Sequence, residues 1–95
     1  MPRPRKNRRI RGNPNSNYFK PAGIPKFELD EIILSKAEFE AIRLKDLKEL
    51  DQNNSAKKME VSQPTFHRLL ISARKKIADA IVNGKAIKLD FEIDK

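Results

Sequence analysis

Four polar side chains with hydrogen-bonding groups lie close together on the outward face of a predicted helix. They are Gln63, Thr65, His67 and Arg68. Gln and Arg side chains can each make two hydrogen bonds to the edge of one base in the DNA major groove, and a hydroxyl can bond to several bases. The sequence therefore predicts that this face reads DNA bases.

Three consecutive cations, Arg74, Lys75 and Lys76, follow on the same predicted helix. Cationic side chains and serine hydroxyls are common ligands of DNA phosphates, so these three residues and Ser62 are predicted to bind phosphates. No acid occurs between residues 61 and 78, whereas a solvated helix face usually mixes acids with bases. The alternative is an ordinary helical hairpin in a small bundle, without DNA contact.

The segment LDQNNSAKKMEVSQPTFHRLL, residues 50–70, is predicted to position these side chains as two helices joined by a tight turn. Asp51 is a good N-cap for the first helix, and Ser62 is one for the second. Glu60 lies in the turn between them. Pro64 fits the first turn of a helix, where no intrahelical N–H donor is needed.

Apolar residues recur at helical spacing along the second helix: Phe66, Leu69, Leu70, Ala73 and Ile77. This helix is predicted to run from Ser62 to about Asn83, and Gly84 then stands where a left-handed C-cap is expected. A short helix, a turn and a longer capped helix form the helix-turn-helix plan. The second helix of that plan, the recognition helix, enters the major groove.

The net charge of +8 is concentrated near the N-terminus. Residues 1–26 hold eight Lys or Arg and no acid, whereas residues 27–95 hold thirteen residues of each sign. We therefore divide the chain into a basic, largely irregular arm (1–26) and a helix-turn-helix domain with a C-terminal strand (27–95). The arm is predicted to bind phosphates through Arg3, Arg5, Lys6, Arg8, Arg9 and Arg11. A solubilising tail is the alternative.

Residues 13–25 are predicted to be irregular because three prolines and a glycine interrupt them. Tyr18 and Phe19 indicate that this segment lies extended against the helical body, and stacking of Tyr18 on nucleic acid is the alternative. Phe27–Leu34 is predicted to form a short strand.

A helix from Lys36 to about Lys48 is predicted to begin at a capping box formed by Ser35 and Glu38. The acids Glu38 and Glu40 are predicted to face solvent on this helix. The residues predicted to face inward are Phe39, Ile42 and Leu47.

Ala86–Ile93 alternates apolar and polar residues, which is the pattern of a half-buried strand. The apolar side would hold Ile87, Leu89, Phe91 and Ile93. A lone strand needs a partner, which is either Phe27–Leu34 of the same chain or the same strand of a second subunit. We expect a homodimer through this strand edge, because small helix-turn-helix modules usually bind DNA as two-fold dimers.

The chain has no cysteine and one histidine, so neither a disulfide nor a zinc site is expected. No acid lies close in sequence to His67 to orient its ring. We therefore expect no catalytic residues, no metal, no cofactor and no enzymatic activity. No apolar run is long enough to span a bilayer and no apolar signal segment follows the basic N-terminus, so we expect a cytoplasmic, nucleoid-associated protein without membrane contact.

The chain resembles a known family in four segments: MPRPRKNRRI, YFKPAGIP, LSKAEFEAIRLKDL and MEVSQPTFHRLLISARKKIADAIVNGKAI. That family consists of small prokaryotic proteins of unknown function that are regarded as DNA-binding, and the resemblance covers about residues 1–92. It implies a mainly α fold with one or two short strands. It also implies a helix-turn-helix similar to region four of sigma factors, in the winged-helix-like superfamily. Glu60 stands where the family usually has glycine, so a positive φ there would carry a conformational cost.

The resulting hypothesis is a sequence-specific protein that binds double-stranded DNA and regulates transcription. The alternative is a sigma-like interaction module that docks on RNA polymerase or another protein. In that case the arm would bind DNA or RNA non-specifically.

Overall fold

The computed structural model describes residues 10–91, which form three α-helices and a short three-stranded sheet. In chain order the elements are β1 (Tyr18–Phe19), a 3-10 turn (Lys26–Glu28), β2 (Glu31–Leu34), α1 (Lys36–Ile42), a π-helical turn (Arg43–Leu47), α2 (Gln52–Met59), α3 (Gln63–Asn83) and β3 (Ala86–Leu89). The predicted mainly α class with short strands is confirmed. Six residues with predicted roles lie outside the described residues: Arg3, Arg5, Lys6, Arg8, Arg9 and Ile93.

Helices α1 and α2 begin at the side-chain caps that the sequence predicts. Ser35 Oγ accepts a hydrogen bond from Glu38 N at 3.1 Å, and the Glu38 carboxylate accepts one from Ser35 N, which completes the capping box. Asp51 Oδ1 accepts a hydrogen bond from Asn54 N at 2.7 Å. These bonds satisfy N–H groups that have no partner inside the helix, so they fix where each helix starts.

Phe66 is fully buried in the larger of two hydrophobic clusters. The helices and the π-helical turn contribute to this cluster Ala37, Ala41, Leu44, Ala56, Met59, Phe66 and Leu70. The smaller cluster joins α3 to the sheet and consists of Leu34, Ala73 and Leu89. Phe39 and Ile42 pack against it, as their predicted inward orientation requires. The apolar spacing along α3 therefore predicted its buried face correctly.

The central strand of the sheet is β3, which pairs parallel with β2 and antiparallel with β1. Leu89 lies opposite Leu34 on one side, and Ile87 lies opposite Phe19 on the other. The prediction that this strand offers a free edge to a second subunit is wrong, because both of its edges are occupied within the chain. The expected homodimer itself stays a prediction.

Strand β1 corrects the prediction that residues 13–25 are irregular throughout. Proline has no N–H donor and weakens strands from within, but Pro14 and Pro21 both lie outside the two residues of β1. Asn17 O accepts a hydrogen bond from Leu89 N at 2.9 Å, which extends the pairing by one residue. The segment does lie extended against the body, as its aromatic residues predicted.

The strand predicted over Phe27–Leu34 is present only in its second half. Residues at its start form the 3-10 turn, in which Glu28 N donates to Pro25 O at 3.0 Å. Phe27 is 86% exposed there. Within the predicted range, the pairing with β3 begins only at its second half, because the first residues are taken up by the turn. Asp30 O, just before β2, accepts a hydrogen bond from Ala86 N at 2.9 Å.

The helix predicted from Lys36 to Lys48 is α-helical only to the end of α1 and then continues as the π-helical turn. Lys48 N donates to Arg43 O at 2.9 Å, which is the five-residue spacing of a π-helix. The wider turn rotates the following side chains away from α-helical positions. The prediction that Leu47 faces inward is wrong, because its side chain is 74% exposed at the end of this turn, beside the open groove that Ile42 also lines.

The prediction that Glu38 and Glu40 face solvent is wrong, because both side chains are buried. Glu38 Oε1 accepts a hydrogen bond from Lys76 Nζ at 2.8 Å, and Glu38 Oε2 accepts one from Ser72 Oγ. Burial raises the pKa of Glu38, but these hydrogen bonds lower it by more, so the pKa lies below its usual value. A buried carboxylate needs such partners, and here α3 supplies them.

Two glutamates adopt left-handed backbone conformations: Glu49 after the π-helical turn, with φ of 61°, and Glu60 after α2, with φ of 60°. Glu60 thus has the positive φ at which a conformational cost was predicted. This conformation costs an L-residue roughly 1–2 kcal/mol, whereas glycine adopts it freely but loses about 0.5–1 kcal/mol more chain entropy on folding.

We expect Glu49→Gly to raise the free energy of unfolding by about 0.5–1 kcal/mol, because the relief of strain exceeds the added entropy cost. Urea denaturation measures this change. The control is Lys48→Gly, at a φ of −85°, where glycine relieves no strain and should lower stability. A Glu49→Gly protein less stable than the parent would contradict the prediction.

Candidate nucleic-acid interface

Ser62 fixes the first turn of α3. Its Oγ accepts a hydrogen bond from Thr65 N at 3.2 Å and donates one to Thr65 Oγ1 at 3.0 Å. Pro64 lies in this first turn, and Val61 N donates to Ala56 O at 3.1 Å to close the end of α2. The start of α3 therefore has a defined orientation relative to α2.

The predicted base-reading residues lie together on the first two turns of α3. Gln63, His67 and Arg68 are exposed, and Thr65 is half-buried. The Thr65 hydroxyl oxygen is already engaged by the cap, so Thr65 is less available than the other three. This face presents amide, imidazole and guanidinium groups to solvent, which is a set that can hydrogen-bond to base edges.

Two residues of α2 that the sequence reading missed lie beside this face. Gln63 Nε2 donates to Asn53 Oδ1 at 3.1 Å, and Gln52 Nε2 lies 3.4 Å from His67 Nδ1. Gln52 and Asn53 directly follow the cap residue of α2, and that position was the only available signal for them. The polar surface therefore continues from α3 onto the start of α2. We call its six side chains the polar face: Gln52, Asn53, Gln63, Thr65, His67 and Arg68.

Arg68 differs from the rest of the polar face. It is exposed, and within the described part of the chain its guanidinium makes no hydrogen bond or ion pair. A guanidinium has five N–H donors in a fixed planar arrangement that matches the acceptor pair of guanine or the oxygens of phosphate. Arg68 is therefore the polar-face residue with the most donors available to a partner.

The predicted phosphate ligands of α3 have different surroundings. Arg74 makes two hydrogen bonds to Asp46, at 2.6 and 3.1 Å, and these lower the pKa of that carboxyl. Lys76 donates to the buried Glu38, so it supports the fold. Lys75 is exposed and makes no hydrogen bond or ion pair within the described residues. An exposed pair such as Arg74–Asp46 contributes only about 0–1 kcal/mol, so a phosphate could replace Asp46.

Arg11 and Gly12 are held against α1 by the buried carboxylate of Glu40. Arg11 N donates to Oε2 at 3.2 Å and Gly12 N to Oε1 at 3.0 Å, while Arg43 Nε and Nη2 each donate at 2.8 Å. A Cβ atom at Gly12 would overlap the Arg43 side chain, so the close approach requires glycine. We call these contacts the Glu40 clasp. It fixes the point at which the N-terminal arm meets the helical body.

Within residues 10–91, no group of three or more His, Cys, Asp or Glu side chains is placed to hold a metal ion. None of the helices in this part of the chain combines the length and apolar character needed to cross a membrane.

Comparison with known proteins identifies close relatives. A family model described as "Protein of unknown function DUF134" matches residues 1–91. The UPF0251 protein TTE1845 of Caldanaerobacter subterraneus subsp. tengcongensis is 59% identical over 90 residues, which cover 95% of this chain and 76% of that protein. The UPF0251 protein DehaBAV1_0135 of Dehalococcoides mccartyi is 55% identical over 97 residues, which cover 99% of this chain and 83% of that protein. No solved structure matches the chain.

These matches cover nearly the whole chain, and they confirm the family resemblance predicted from its four sequence segments. The chain belongs to the DUF134, or UPF0251, family of small prokaryotic proteins of unknown function.

Proposed function

We propose that the protein binds double-stranded DNA in a sequence-specific manner and regulates transcription, without enzymatic activity. In this proposal α2, the turn and α3 form a helix-turn-helix similar to region four of sigma factors, and α3 enters the major groove. The polar face carries the proposal, because it places exposed base-reading side chains on the first two turns of a capped helix. The proposed location is the cytoplasm, at the nucleoid.

The charge distribution supports a polyanionic partner. Residues 63–78 of α3 contain four Lys or Arg and no acid. Two of these cations, Arg74 and Lys76, form ion pairs with acids. Lys75 has a longer-range electrostatic interaction with Asp79, but within residues 10–91 neither it nor Arg68 forms an ion pair, and both are exposed. The sequence of the arm adds six Lys or Arg within residues 1–12. Each phosphate that such a cation neutralises contributes a slope of about −0.9 to the dependence of log K on log salt.

A sigma-like module that docks on RNA polymerase or another protein is the second candidate, with the arm binding DNA or RNA non-specifically. Exposed apolar residues on the second half of α3 favour it, since Ile81 and Val82 are 74% and 78% exposed. An apolar groove of about 530 Å³, lined by Phe39, Ile42 and Ile77, lies on the same molecule. Contiguous exposed apolar surface is a common feature of protein interfaces.

The substitution Arg68→Ala tests the base-reading role. Duplexes that bind the protein are first enriched from a random pool, and affinity is then measured by fluorescence anisotropy on an enriched duplex and on a random one. We expect the substitution to weaken binding to the enriched duplex by about 1–3 kcal/mol and to weaken binding to random DNA by less, because a base contact is lost only at the preferred site.

The matched control is Lys75→Ala, which removes an exposed cation from the same helix. This substitution should weaken binding to the enriched and the random duplex equally. It should also make the slope of log K against log salt shallower by about 0.9, as expected for the loss of one phosphate contact. Equal losses on both duplexes for Arg68→Ala would show that Arg68 contacts only phosphate. A pool from which no sequence is enriched would reject sequence-specific binding and favour the docking module.

A further inference from the structure

A second concentration of positive charge lies away from the polar face. The π-helical turn, the loop after it and α2 surround a pocket of about 330 Å³. Four cations line it: Arg11, Arg43, Lys48 and Lys58. We call it the basic pocket. Leu44 and Leu50 supply its apolar lining, and Glu40 is the single acid among the described residues that line it.

Glu40 does not neutralise the open part of the basic pocket. Its carboxylate is 1% exposed and is occupied by the Arg43 guanidinium and the two backbone N–H groups of the Glu40 clasp. The side chains of Arg11, Lys48 and Lys58 make no hydrogen bond or ion pair within the described residues, and all three are exposed. Three positive charges that form no ion pair with any residue of 10–91 therefore share one concave site.

Separate structural elements hold these charges in place. Arg11 is positioned by its backbone bond to Glu40, and Lys48 by its own N–H, which donates to Arg43 O at 2.9 Å. Lys58 projects from α2. Like charges that the fold brings together repel one another and reduce stability. An anion bound among them would remove that repulsion.

The chemistry of the lining indicates which anion would bind. A phosphate group accepts several charge-assisted hydrogen bonds at once, and lysine and arginine are its usual partners. A pocket of this volume is at the lower end of the size range of ligand sites, which suits one or a few phosphate groups. We propose that the basic pocket is a phosphate-binding site, occupied by a backbone phosphate of a nucleic acid or by a free polyphosphate.

This site is distinct from the polar face. Lys58 and Asn53 are five residues apart on α2, which places them roughly 140° apart around the helix axis. The basic pocket and the polar face therefore flank α2 on different sides. If the occupant is duplex DNA, which rests on the proposed function, the pocket would hold a stretch of backbone that α3 does not reach. Occupancy by a free polyphosphate does not depend on the proposed function.

The test compares two double substitutions in the full chain, each of which removes two positive charges. Lys48→Gln with Lys58→Gln alters the basic pocket. Lys57→Gln with Lys88→Gln alters two exposed lysines outside its lining. Inorganic tripolyphosphate is titrated into each protein by calorimetry. We expect the pocket variant to bind about tenfold more weakly than the parent, and the control variant to bind within about twofold of it.

Two further measurements locate the site and its natural occupant. When tripolyphosphate is added to the parent, amide chemical shifts should change most at residues 11, 43, 48 and 58. The charge-preserving pair Lys48→Arg with Lys58→Arg should retain tripolyphosphate binding.

A random-sequence duplex is then titrated into each protein. If the pocket variant also loses duplex affinity beyond the control, the occupant is backbone phosphate; if duplex affinity falls equally in both variants, it is a free polyphosphate.

Equal weakening of tripolyphosphate binding in the two double variants would overturn the proposal, because it would show diffuse attraction to net charge. Absence of saturable tripolyphosphate binding by the parent would also overturn it. A parent protein that binds no duplex but shows pocket-dependent tripolyphosphate binding would contradict the proposed DNA-binding function and leave the phosphate site intact.

Discussion

Phe66→Ala is expected to lower the free energy of unfolding by about 3–5 kcal/mol. Phe66 is fully buried where α1, α2 and α3 meet. Three of its neighbours in the larger hydrophobic cluster are alanines, at positions 37, 41 and 56. Their short side chains cannot extend into the space that the phenyl ring leaves. A cavity would remain, and its cost adds to the lost burial of the ring.

This loss is a large part of the total stability. A chain of this length has an unfolding free energy of roughly 5–14 kcal/mol, so the variant should unfold at much lower urea concentration and temperature. Phe27→Ala is the matched control, because Phe27 is 86% exposed, and it should change stability by less than about 0.5 kcal/mol. An unchanged melting temperature for Phe66→Ala would show that α3 buries a different face.

Functional consequences should follow from the same substitution. Thr65 and His67 are the chain neighbours of Phe66, and the polar face depends on contacts between α2 and α3. Loss of the ring removes packing that holds these two helices at a fixed angle. The proposed DNA binding should therefore be tested in this variant only under conditions in which circular dichroism shows that it is folded.

Features set by neighbouring residues could be predicted from the sequence. The capping side chains of Ser35, Asp51 and Ser62 each accept a hydrogen bond from the backbone N–H three residues later. Gly84 is the C-cap of α3, with a φ of 67°. The apolar spacing around Phe66 repeats within one helix. Such signals require no knowledge of the rest of the fold.

Features that depend on distant residues could not be predicted in the same way. Acids on a helix normally face water, and nothing near Glu38 or Glu40 in sequence indicates otherwise. Each acid has one partner three residues away, Ser35 for Glu38 and Arg43 for Glu40. The remaining partners lie far along the chain: Glu38 meets Lys76 and Ser72, and Glu40 meets the backbone near residue 11. Strand β1 was missed for the same reason, because two residues become a strand only through pairing with β3.

The candidate site shows the same division. Arg68 lies roughly 160° from Phe66 around α3, so sequence periodicity predicted its exposure. Gln63 and His67 lie only about 60° and 100° from Phe66 around the helix axis, so periodicity alone did not fix their exposure. The contribution of Gln52 and Asn53, and the basic pocket, arise where separate elements meet. Lys76 was predicted to bind phosphate from its charge alone, but the structure gives it a buried acid as partner.

Glu40→Ala is expected to lower the free energy of unfolding by about 3–5 kcal/mol at neutral pH, because one partner of a buried ion pair is removed. Arg43, with a side chain 22% exposed, would lose both of its hydrogen bonds to Glu40. The N–H groups of Arg11 and Gly12 would lose their acceptor as well. Glu28→Ala is the control, since Glu28 is exposed and should change stability by less than about 0.5 kcal/mol.

The pH dependence of stability provides an independent test of the Glu40 clasp. Burial raises the pKa of Glu40, but the hydrogen bonds from Arg43 and from the N–H groups of Arg11 and Gly12 lower it by more, so the folded-state pKa lies below the usual value of 4.5. A carboxyl with a depressed folded-state pKa stabilises the fold fully above its unfolded pKa. That contribution is lost as the pH falls through the folded-state value.

Urea unfolding of the parent should therefore show falling stability as the pH is lowered from about 5 towards 2. Glu40→Gln removes one titrating carboxyl while keeping nearly the same shape, so its stability should fall less steeply over that range. Glu38 also has a lowered pKa, so part of the slope should remain in Glu40→Gln and become smaller when Glu38→Gln is added. The carboxyls of Asp46 and Asp79, whose pKa values are also lowered, should account for a residual slope. If the stability of Glu40→Gln keeps the full pH dependence of the parent, Glu40 does not hold the arm as a buried, ionised carboxylate. That result would contradict the Glu40 clasp.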